Sequence, residues 1–112
     1  MPKVTVEATM ADAVHVGTNM APEDRLEWSC VNPGGDPLDD CVAAVLYTDA
    51  DPERYRLRTV RTPEGEPLVL GGWDATLGVA WFAITTNAKK HPRLVYKAVK
   101  ECREEALSEC PQ

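Results

Sequence analysis

The sequence predicts an α+β fold in one domain, residues 1–112, with element order β-α-α-α-β-β-β-α and a mixed or antiparallel sheet of about four strands. Three observations carry this expectation. Residues alternate apolar and polar around Val4–Ala8 and Arg54–Thr59, the period of a strand. Acidic residues cluster behind Pro22 and Pro37, the composition of two helix starts. A stripe at i, i+3, i+4 and i+7 spacing runs through the last 20 or so residues, the signature of an amphipathic helix.

Val4, Val6 and Ala8 alternate with Thr5 and Glu7 and give the first strand. Thr9 with Asp12 three residues on resembles a capping box with Asp in place of Glu. Ala11, Val14 and His15 then form a short apolar helix face that Gly17-Thr18-Asn19 interrupts. The second helix begins at Pro22, turns Leu26 inward and ends near Trp28 and Cys30, before the loop Asn32-Pro33-Gly34-Gly35. Asp36 is the N-cap of the third helix and Pro37 its first residue. The body of this helix, Cys41–Tyr47, is nearly all apolar and has to pack on something, and Asp49–Pro52 ends it.

In the second half Tyr55, Leu57 and Thr59 alternate with Arg54, Arg56 and Arg58, an amphipathic strand with a basic face. Thr62-Pro63-Glu64-Gly65 is a hairpin turn into the apolar strand Leu68–Trp73. Gly71-Gly72 inside that strand predicts a bulge or a close backbone approach. Asp74–Gly78 turns the chain into Val79–Thr85. The final helix runs from about Pro92 to Ser108, with Val95, Ala98, Val99, Cys102 and Ala106 on the sheet.

Composition narrows the functional classes. No apolar run approaches the roughly 20 residues of a membrane span, and the N-terminus lacks the apolar core of a signal peptide. The net charge of −6 is uneven: residues 1–53 hold 11 acidic and 2 basic side chains, whereas residues 54–112 hold 7 acidic and 10 basic ones. An acidic first half disfavours nucleic acid, and the split suits either two solvated faces or head-to-tail contact between copies. Cys30, Cys41, Cys102 and Cys110 form no CxxC pair, and neither His15 nor His91 stands at finger spacing from them. They read as reduced thiols without a metal.

The segment Gly65-Glu66-Pro67-Leu68-Val69-Leu70-Gly71-Gly72, followed by Trp81-Phe82-Ala83-Ile84-Thr85, resembles the internal virion protein A family of short-tailed bacteriophages and the related phage acetyltransferase-like proteins. Those resemble the N-terminal half of the GNAT N-acetyltransferase fold, whose first strand and helix the opening Val6–Asp12 also resembles. The resemblance implies a phage protein found in the virion, and in the host cytoplasm during assembly. Its partners would be other virion proteins or copies of itself, with no nucleic acid and no membrane. One departure bears on activity. GNAT enzymes bind the acetyl-CoA pyrophosphate on a glycine-rich loop at a helix N-terminus. Here that place reads Thr86-Asn87-Ala88-Lys89-Lys90-His91-Pro92, without glycine and with a proline that has no N–H. The chain also ends at Gln112, before the strand and helix that complete the resembled fold. The expectation is a truncated GNAT-like structural or assembly protein with no catalytic residue, no metal ligand and no cofactor.

Two sets of residues stand out. Lys89, Lys90, Arg93 and Lys97 gather cations at the positive end of the last helix, while Glu104, Glu105 and Glu109 sit at its negative end. The basic group suits an anion or an acidic partner, or else a solvated face relieved by Lys97–Glu101 and Lys100–Glu104 pairs. Trp81, Phe82 and Ile84 lie on the last strand, whose open edge invites another chain. Trp73, Trp81 and Phe82 read as core or interface anchors, and His91 as a boundary residue. Two other functions remain: an acyl-CoA-dependent acetyltransferase completed by a partner chain and using acetyl-CoA, or a small cytoplasmic inhibitor of a host protein with the acidic half as its binding face.

Overall fold

The computed structural model describes residues 2–110; Gln112, where the sequence reading has the chain end, lies outside them. The elements are β1 (Val6–Glu7), α1 (Met10–Thr18), α2 (Pro22–Val31), α3 (Pro37–Ala50), β2 (Tyr55–Arg61), β3 (Pro67–Asp74), β4 (Val79–Ile84), a 3₁₀ turn (Thr86–Lys90) and α4 (Pro92–Glu109). The order is the expected β-α-α-α-β-β-β-α. The sheet is antiparallel throughout, with strands in the order β1-β2-β3-β4. Sequential order follows from short turns such as Thr62–Gly65, where the Gly65 N–H donates to the Thr62 carbonyl.

Side-chain alternation divides the core into two layers. Leu57, Leu70 and Ala83 face Ala13 and Val16 of α1 and Cys41 and Val45 of α3. Val60, Val69, Trp73 and Phe82 face Ala98, Cys102 and Ala106 of α4. The helices on both faces follow from the strand pattern of β3, whose Pro67–Trp73 are all buried.

Thr9 closes the capping box with both bonds present: its hydroxyl accepts from the Asp12 N–H, and the Asp12 carboxylate accepts from the Thr9 N–H. Asp36 caps α3 by accepting from the Leu38 N–H. The contact between α1 and α3 within their shared layer depends on Gly17, where a Cβ would stand 2.7 Å from the Leu38 Cα.

Several local expectations change. Gly71-Gly72 is a close approach and the register there is regular: a Cβ on Gly72 would meet the Trp81 ring at 2.5 Å. The irregularity lies between Val60 and Arg61, where one extra β3 residue lets Leu68 and Val69 join the same core cluster. Leu26 is 68% exposed, because α2 buries no residue fully and turns Asp24 and Trp28 toward the sheet instead. α3 continues through Asp49 to Ala50, and Thr86–Lys90, at the place where the resembled fold has its glycine-rich loop, forms the 3₁₀ turn.

The reversed charge of α4 has a tertiary explanation. Glu105 pairs with Arg58 at 2.9 Å and Glu109 with Arg56 at 3.3 Å, so the basic face of β2 lies under the acidic end of the helix. Glu101 accepts from the backbone N–H groups of Val4 and Thr5 and ties the N-terminal segment to α4.

A candidate protein-binding edge and groove

β4 closes one side of the sheet, and its outer edge is only partly covered. The Thr85 N–H donates inward to the Leu68 carbonyl. Ile84 faces outward: its carbonyl accepts from the Ala21 N–H at 2.8 Å and its N–H donates to the Asp24 carboxylate at 2.7 Å. By the alternation of an antiparallel ladder, Phe82 and Ala80 turn their N–H and C=O groups to the same outer side. Among the described residues no strand pairs with β4 there. Burial, opposed by the bond from Ile84 and reinforced by Glu27 and Glu23, raises the Asp24 carboxyl above its ordinary value.

Beside this edge lies a groove of about 680 Å³ between α2, α3 and β4, lined by Trp28, Val31, Ala44, Tyr47, Trp81 and Phe82. Its polar rim is Glu27, Asn32 and Asp40. Trp28 and Trp81 meet edge-to-face with ring centroids 5.7 Å apart, and the Trp28 indole N–H donates to Asp40 at 2.6 Å. Tyr47 and Val31 are 61% and 87% exposed, so this apolar lining stands open. A second depression of about 230 Å³ continues past Tyr47 toward Tyr55, Leu77 and Val79. Tyr47 and Tyr55 extend the aromatic strip, with centroids 5.9 Å apart.

The structure separates the three strand residues singled out by the sequence. Trp81 lines the groove, Phe82 packs toward α4 and borders the groove, and Ile84 is occupied on its outer side by Ala21 and Asp24. The part of the edge left open is therefore the backbone of Ala80 and Phe82. The basic residues also divide. Lys90 and Arg93 border one shallow depression of about 390 Å³, Lys89 pairs with Glu23 at 2.6 Å, and Lys97 stands outside that depression. The first turn of α4 lacks a side-chain cap and carries Pro92 at its start.

The sequence reading places Trp28, Asp24, Asp40 and Tyr47 in helices two and three without giving them a part in a groove. The only sequence signal for the groove is an apolar excess in α3 that a helix with one buried face does not need. Cys41 and Cys102 are buried, and desolvation pushes their thiols up to about 12 and about 11 respectively. No cluster of metal-ligating side chains occurs among the described residues, and no helix there is long and apolar enough to cross a membrane. No family model, curated protein or solved structure matches the chain.

Proposed function

We propose that this chain is a non-enzymatic assembly protein that works by protein–protein contact at the β4 edge, in the particle of a short-tailed phage as its sequence resemblance implies. The observation that carries this reading is the open backbone of Ala80 and Phe82 beside an exposed aromatic groove. Unpaired strand edges are templates for added strands, and aromatic-lined grooves supply anchoring pockets.

The experiment is site-specific photo-crosslinking in assembling particles, with the probe at position 80 or, as a control, at position 100 on the exposed side of α4. The proposal expects crosslinks from position 80 to another particle protein and few from position 100. Absence from the particle, or equal crosslinking from both positions, contradicts it.

A further inference from the structure

The charge around the β4 edge bears on what would pair there, an inference that rests on the contact reading above. Helices α2 and α3 carry six acidic side chains and one basic one, Arg25. Arg25 is engaged with the carbonyls of Gly17 and Thr18. Glu27 and Asp40 are the charged residues of the groove itself. Asp40 already accepts from Trp28 and Asn32, and a carboxylate with about four acceptor sites has capacity left.

A second copy suits this edge poorly. Antiparallel pairing of two β4 edges places a two-fold axis perpendicular to the sheet, so α2 of one copy faces α2 of the other. The acidic α2–α3 faces of the two copies would then lie side by side, and although Glu23 is neutralised by Lys89, Glu27 and Asp40 would meet a surface of like charge, which is unfavourable. An extended cationic segment has the opposite relation. Paired with Ala80 and Phe82, every second side chain points toward the groove. A Lys or Arg stem there lies across Trp28 and Tyr47, with its charged end at Glu27 and Asp40. The intervening side chains point toward the Phe82 face, where apolar groups fit.

We infer that the partner is an extended segment of another protein in which Lys or Arg alternates with apolar residues, added as a strand to β4 with its cations over the α2–α3 groove.

The test is a fluorescence-anisotropy titration of the full chain with two labelled peptides, one alternating Lys and Val and one alternating Glu and Val. Sedimentation of the chain alone accompanies it. The inference expects saturable binding of the Lys peptide, with the Glu peptide at least ~10-fold weaker. Binding should weaken with added salt. Glu27→Lys, an exposed substitution that leaves the fold alone, should weaken the Lys peptide severalfold, and Ala80→Pro should abolish binding by removing an outward N–H. Equal or preferred binding of the Glu peptide, or a Lys-peptide affinity unchanged by Glu27→Lys, overturns the cationic occupant while leaving the edge reading intact. No binding of either peptide, with self-association that Ala80→Pro removes, makes the occupant a second copy and also overturns the inference. No binding and no self-association overturns the inference and counts against the edge reading as well.

Discussion

The Trp28 indole stands perpendicular to that of Trp81, and this contact joins the Ala21 and Asp24 bonds to Ile84 in holding α2 against the sheet without burying any of its residues completely. The same two rings form the back of the groove, so stability and binding are coupled at one point. Trp28→Leu removes the edge-to-face contact and the bond to Asp40, and is expected to cost about 2 kcal/mol in urea unfolding. Unchanged stability would show that α2 is held by other contacts.

Asp12 and Arg61 make the acid sensitivity of the fold predictable. Burial alone would raise the Asp12 carboxyl, but hydrogen bonds from Arg61 and Thr9 hold it below 3.8. A lowered carboxylate stabilises the fold fully above its unfolded value, and that contribution is lost as pH falls through the folded value. Arg61→Ala should therefore cost about 2 kcal/mol at neutral pH, allowing for the partial exposure of the arginine. The cost should shrink steadily below about pH 4. A constant difference between the two proteins from neutral to acid pH would refute the pair's role.

Gly17 is required by the close packing of α1 on α3. Gly17→Ala places a methyl group against the Leu38 backbone, and about 1–3 kcal/mol of destabilisation is expected from thermal unfolding. A neutral substitution would mean that the helices can part without penalty.

Thiol chemistry reports the two core layers separately from their stability. Cys30 is exposed, whereas Cys41 lies in the α1–α3 layer and Cys102 in the α4 layer. Native protein should react at Cys30 within the time of mixing, and at Cys41 and Cys102 only at the rate of unfolding, because their thiolates are suppressed by burial. Rapid labelling of Cys41 without denaturant would place that layer open to solvent.

What the sequence disclosed was local, because caps, turns and periodicity act within a few residues of themselves. Thr9 with Asp12, Pro22, Asp36-Pro37 and Thr62–Gly65 each specify an element through bonds to close neighbours, and each appears in the fold. The groove depends instead on residues far apart in the chain: Trp28 on Trp81, and Asp24 on the Ile84 N–H. Leu26 misled because helical periodicity gives a face without saying which face has a partner. The acidic end of α4 looked unfavourable in isolation and is matched by Arg56 and Arg58 across the sheet. The open edge was legible as a strand at the end of the order, but its extent was not, since Ala21 and Asp24 cover only the Ile84 end.

Amide hydrogen exchange, followed residue by residue in the free chain and in its assembled state, tests the contact surface most directly. The free chain should exchange rapidly at Ala80 and Phe82 and slowly at Ile84, whose N–H is held by Asp24. Assembly should slow exchange at Ala80 and Phe82. Protection gained elsewhere, with Ala80 and Phe82 still exchanging as in the free chain, would contradict the account.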